Sequence, residues 1–154
     1  FPIESINLNT KRDTSITDEF IEDVLLTQKD DVYAFSILAL LYPNLDYKNN
    51  NFHKDHLHPA TKYDALEKSL KEKYGWYTYN SLKNLQMLDA NENMSKNAED
   101  LDSWVKKETI LKHNKSSFLE SHLIPDVDLN LDNFDEFIIK RTEILSERLK
   151  KLLT

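Results

Sequence analysis

The chain has 154 residues, a formal net charge of −7, 40% hydrophobic and 31% charged residues, and no cysteine. This is enough for one domain with its own core. Disulfides and cysteine-ligated zinc are excluded, and no apolar run approaches the roughly 20 residues of a membrane span. One glycine and four prolines leave few backbone breakers, which favours helices over a strand-rich sandwich.

The first residue is Phe1, and Glu4, Asn7, Asn9 and Lys11 interrupt any apolar signal segment. The chain reads as a piece of a longer protein, and its lack of cysteine suits the reducing cytoplasm. Residues 1–16 look irregular. Thr17-Asp18-Glu19 predicts a helix start, with Phe20, Ile21, Val24, Leu25 and Leu26 on its apolar face. Asp31 is placed to cap a second helix ending at Leu41 before Pro43. That helix is apolar nearly all round and is expected at the centre of the core. Phe52 to Leu57 reads as a strand, and 61–73 has helical composition with Tyr63, Leu66 and Leu70 on one face. Tyr74 to Asn80, holding the sole glycine, reads as a turn or loop. Leu82 to Leu88 reads as a second strand and Asn91 to about Lys107 as a helix. Residues 108–130 are mixed. Asp132, with Asp135 or Glu136 as its reciprocal partner, is expected to cap a last long helix with a stripe of Phe134, Phe137, Ile138, Leu145, Leu149 and Leu152.

The net acidity argues against a generic nucleic-acid surface. The charge is unevenly distributed, however. Residues 1–47 carry 3 basic and 9 acidic groups, 48–86 carry 7 and 4, and 87–154 carry 10 and 14. Only the middle block is net positive, and it holds the pair Asp55-His56, a local basic surface of the kind a polyanion needs.

Within this block the residue types suit phosphodiester hydrolysis. His56, neutral near pH 7, can take a proton from water. Asp55, on the opposite side of the strand, offers a hard oxygen to Mg²⁺ or Mn²⁺. Asn93 offers a second oxygen from a helix, and Asn84 on the second strand is a candidate support for His56. Lys96, one turn beyond Asn93, together with Lys83 and His53, are candidate substrate contacts. Singly each has an ordinary reading: Asn84 as a turn residue, Asn91 and Asn93 as helix caps, Lys96 as a solvated lysine. His58 is a weak candidate, and His113 and His122 carry no motif. Trp76, Tyr77 and Tyr79 suit either base stacking or core packing.

Asp55-His56-Leu57-His58-Pro59 resembles the DHxxP signature of HNH nucleases. Asn84-Leu85-Gln86-Met87-Leu88 followed by Glu92-Asn93-Met94-Ser95-Lys96 is similar to the NLQLL…ENxxKS continuation in the C-terminal domain of GmrSD-like bacterial defence and restriction proteins. The likeness covers roughly residues 20–153. It implies a mainly α (α+β) single domain over 1–154, in which helices at 17–42 and 132–153 enclose a ββα-metal finger at about 51–107. It further implies a metal-dependent DNA endonuclease, with Asp55 and Asn93 on Mg²⁺ or Mn²⁺, His56 as base and Asn84 as its support. An N-terminal ParB-like nucleotide-hydrolysing domain is the expected partner, and no membrane is expected. Asn93 stands where the family name has a histidine, which implies a more weakly held metal. The alternative is a degenerate HNH fold that binds DNA or a partner without cutting.

Overall fold

The computed structural model describes residues 17–112 and 114–154, so the irregular reading of 1–16 lies outside the described residues, as does His113. The described chain is mainly helical with one small antiparallel sheet, in the order α1 (Asp18–Leu25), α2 (Ala34–Leu41), β1 (Phe52–His56), α3 (Lys68–Tyr79), β2 (Leu85–Asp89), α4 (Ala90–Lys96), α5 (Leu101–Lys112), α6 (Lys115–His122) and α7 (Phe134–Leu153). Short 3₁₀ turns cover Ala60–Ala65, Leu82–Asn84 and Leu131–Asn133. Among the described residues no helix is long and apolar enough to cross a membrane.

The two strands pair Asp55 with Gln86 and His56 with Leu85. Helix α4 follows β2 directly and packs on both strands. Its start is set by Asp89, whose Oδ1 accepts from the Glu92 N–H at 2.8 Å.

The two-stranded sheet stands between two apolar clusters. One joins Ile21, Val24 and Leu25 of α1 and Ile37, Leu38 and Leu41 of α2 to Leu85 and Met87 of β2 and Leu145 and Leu149 of α7. The other joins Leu57, Tyr79 and Leu88 to Trp104 of α5, Phe118 of α6, and Phe134, Phe137 and Ile138 of α7. Helix α7 spans both clusters, and Arg141, fully buried, sits between its two apolar segments. The Arg141 guanidinium donates to the Lys83 carbonyl at 3.0 Å, the Leu85 carbonyl at 2.8 Å and the Tyr42 hydroxyl at 3.0 Å. It ties the start of β2 to the last helix.

Several boundaries differ from expectation. Helix α2 is not enclosed: Ala34, Ile37, Leu38 and Leu41 are buried, whereas Phe35 and Leu40, and Val32 in the turn before it, are exposed, because this two-turn helix lies at the surface with one face inward. Asp31 accepts from the Tyr33 N–H at 2.9 Å, but the helix begins only at Ala34. The turn expected within 74–80 is confined to Gly75, where two helical segments meet, and the run beyond it is helical through Tyr79. Gly75 (φ 66°) kinks α3 there, a conformation that favours glycine. The expected helix at 91–107 is two helices, broken at Asn97 (φ 48°). Leu82–Asn84 forms a 3₁₀ turn, so β2 starts at Leu85. Asp132 does not cap α7. Asn133 precedes the helix and donates to Glu136 at 3.2 Å, while Asp135 pairs with Lys73 at 2.8 Å.

Candidate functional site

Asp55, His56 and Asn93 line one cleft of about 550 Å³, together with Lys29, His53 and Lys54. Asp55 and His56 alternate along β1, yet both border the cleft. The ladder ends at His56, and the chain turns through Leu57–Pro59 immediately after it.

His56 is nearly buried, and its Nε2 lies 2.8 Å from Asn80 Oδ1. The surrounding bonds fix which atom donates. Gln28 Nε2 donates to two carbonyls, those of Leu26 (3.0 Å) and Tyr77 (2.6 Å), so Gln28 Oε1 must face Asn80. Asn80 Nδ2 donates to that oxygen at 3.2 Å, which turns Asn80 Oδ1 to His56. His56 Nε2 therefore carries the hydrogen, and Nδ1 keeps its lone pair. Burial holds the imidazole below its ordinary value. The Asn80 bond opposes this, Lys29 adds to the lowering, Asp55 opposes, and Lys96 adds.

Asp55 Oδ2 accepts from Gln86 Nε2 at 3.0 Å and faces Lys96 Nζ at 3.2 Å. Among the described residues Oδ1 has no hydrogen-bond partner. Gln86, itself fully buried, presents Oε1 to His122 Nδ1 at 3.0 Å. Because Gln86 Nε2 is committed to the carboxylate, Oε1 faces the imidazole and His122 Nδ1 is the donor. The Tyr42 hydroxyl donates to the His122 carbonyl at 2.6 Å and accepts from Arg141. A buried polar chain thus runs Arg141–Tyr42–His122–Gln86–Asp55.

Asn84 does not touch His56. It is fully buried and holds the turn after it: Oδ1 accepts from the His58 N–H at 2.9 Å, and Nδ2 donates to the His58 and Tyr79 carbonyls, both at 3.0 Å. Its support of His56 runs through the backbone, and the direct side-chain partner is Asn80. Lys96 is not a surface contact. Its ammonium is buried against Asp55, donates to the His56 carbonyl at 3.0 Å and lies 5.5 Å from the centre of the Trp104 ring. Burial pushes it down and Asp55 opposes. Lys83 is also buried and faces away from the cleft, paired with Glu22. Both lysines follow short polar segments that resemble solvated surface, and only tertiary pairing buries them. His53 is exposed and lines the cleft. Trp76 is exposed with its ring centre 5.9 Å from that of His56, whereas Tyr79 is buried in the core. His58 is buried against Phe134 and Phe137 (ring centres 5.5 and 4.6 Å apart).

Gln28, Asn80, Gln86 and His122 escaped sequence reasoning. Gln86 left one signal, a polar residue flanked by Leu85, Met87 and Leu88. The other three have none in their local sequence.

Among the described residues no group of three or more His, Cys, Asp or Glu side chains converges to hold a metal. What the cleft offers is oxygen donors, the Asp55 carboxylate and the Asn93 amide. This set fits Mg²⁺, which keeps several waters and takes one or two carboxylates plus substrate phosphate oxygens. The chain matches no protein-family model and no curated protein.

Proposed function

We propose that this chain is an HNH-type endonuclease domain that hydrolyses DNA phosphodiester bonds, with β1, β2 and α4 as its ββα-metal finger. The observation that carries the reading is the meeting of Asp55, His56 and Asn93 in one cleft, from a strand and a helix separated by the whole of α3 and β2. Asp55 and Asn93 would hold the metal. Bound there, Mg²⁺ or Mn²⁺ supplies Lewis-acid polarisation of the phosphate and stabilises charge on the leaving 3′ oxygen. His56 Nδ1 takes the proton of the attacking water as its oxygen bonds to phosphorus. The P–O3′ bond breaks, and O3′ takes a proton from solvent, giving a 5′ phosphate and a 3′ hydroxyl. Asn80 holds the imidazole through Nε2 while Nδ1 becomes protonated. The resemblance to GmrSD-like proteins extends the proposal to restriction or antiviral defence in the cytoplasm, with a ParB-like domain of the same protein as partner.

The second reading is a degenerate HNH fold that binds without cutting. The Lys96 ammonium favours it, because it already neutralises Asp55. Calorimetric titration with Mn²⁺ separates the two. The nuclease reading predicts one binding event, lost in Asp55→Ala and weakened in Asn93→Ala, and duplex products bearing 5′ phosphates. Equal Mn²⁺ affinity in wild type and Asp55→Ala would contradict it.

A further inference from the structure

Resting on the nucleic-acid reading above, we infer that Lys29 and Lys54 form a phosphodiester-binding site on the rim of the His56 cleft, with Lys29 supplied by the loop between α1 and α2. Both lysines line the cleft, and among the described residues neither pairs with a carboxylate. The cleft's one lining carboxylate, Asp55, already faces the buried Lys96 ammonium. Two uncompensated ammonium groups therefore border this cleft in a chain of net charge −7. A compact ammonium of this kind matches the non-bridging oxygens of a phosphodiester.

The loop is built to hold them there. The Lys29 N–H donates to the Asn80 carbonyl at 2.9 Å, and the Leu82 N–H to the Thr27 carbonyl at 3.1 Å. Gln28 forms an antiparallel bridge with Ser81. Lys54 Nζ donates to the Lys29 carbonyl, which holds the Lys54 ammonium against the backbone of the loop that carries Lys29. The Gln28–Asn80 clamp that orients His56 thus also fixes the cation-bearing loop. The charge of Lys29 is felt at the imidazole, where it disfavours protonation. Lys29 takes the substrate-contacting role that sequence reasoning gave to Lys83 and Lys96.

The test is anisotropy of a fluorescein-labelled DNA duplex with the His56→Ala chain in EDTA, across roughly 50–200 mM salt. Lys29→Ala should weaken binding several-fold and lower the slope of log K against log salt by about 0.9, one phosphate contact. Lys29→Arg should restore both, and Lys68→Ala, an exposed lysine outside the cleft, should change neither. The loop is pinned by backbone bonds, so Lys29→Ala removes a charge and leaves the fold. An unchanged slope and affinity in Lys29→Ala, or a duplex that does not bind the His56→Ala chain, overturns the site. Weakened binding by Lys29→Ala, with plasmid nicking by His56→Ala equal to wild type, leaves the phosphate site standing and sinks only the hydrolytic role of His56.

Discussion

At His56 the hydrogen-bond partners leave one tautomer. Two carbonyls orient Gln28, Gln28 orients Asn80, and Asn80 places the imidazole hydrogen on Nε2. In the proposed reaction the free Nδ1 is the base, and removing the clamp costs orientation rather than substrate affinity. Asn80→Leu should lower plasmid nicking about 10–100-fold, the usual range for a partner that orients an active-site group. DNA affinity in EDTA should stay at the wild-type value. Reduced affinity with an unchanged nicking rate on bound DNA would show that Asn80 serves binding instead. Two residues along, burial pushes His58 down to about 3, against 6.5 for an unhindered imidazole. Above pH 6.5 neither the folded nor the unfolded chain carries this proton. Between 6.5 and about 3 the unfolded chain binds it and the folded chain does not. Stability is therefore fully present above 6.5 and declines by about 1.4 kcal/mol per pH unit below it. His58→Leu should flatten this acid limb, read as the urea midpoint against pH; parallel curves for the two proteins would refute the assignment.

At the scale of elements, α4 is tied to β1 by one buried side chain. Its last residue, Lys96, sends a buried ammonium under β1 to Asp55 and the His56 carbonyl. Removing one member of a buried pair leaves the other charge uncompensated, a loss of about 3–5 kcal/mol. Lys96→Met should show that loss in urea unfolding, and Lys96→Met with Asp55→Asn should recover part of it. Mn²⁺ should raise the Tm of Lys96→Met more than that of wild type, because a cation bound at Asp55 replaces the missing charge. A Lys96→Met protein as stable as wild type would show that the pair does not hold α4 in place. The same element marks the limit of sequence reading. Helix α1 and the apolar stripe of α7 as far as Leu149 are legible, because a period-3.6 pattern reports burial directly, although Leu152 at the end of that stripe is exposed; β1 has no period-2 burial pattern, since its adjacent Asp55 and His56 are both buried. Lys96 and Lys83 are not legible, because nothing local distinguishes a lysine that finds a buried carboxylate from one that stays in water. At Tyr74–Asn80 glycine and aromatics suggest a loop; the break is limited to Gly75, and the chain resumes as helix through Tyr79. Tyr79, buried and bonded through its hydroxyl to the Pro59 carbonyl, anchors that stretch as helix.

Across the whole molecule, the cleft is bordered by β1, α4 and the loop that carries Lys29, and the polar chain Arg141–Tyr42–His122–Gln86–Asp55 joins α7, the end of α2 and α6 to the candidate metal ligand. Local motifs reveal Asp55, His56 and Asn93, because these lie within the compact strand–strand–helix unit. Gln28, Lys29 and His122 arrive from loops and helices outside that unit, and their roles depend on tertiary contacts that no spacing encodes. The central claim is that this assembly hydrolyses DNA with His56 as base. The most direct test is nicking of supercoiled plasmid by the wild-type chain and by His56→Ala, each with Mg²⁺ or Mn²⁺ and each confirmed folded by its Tm. Nicking by wild type that is lost in His56→Ala is the predicted result. Equal nicking by both proteins, or by neither with the Mn²⁺ site filled, would contradict the claim.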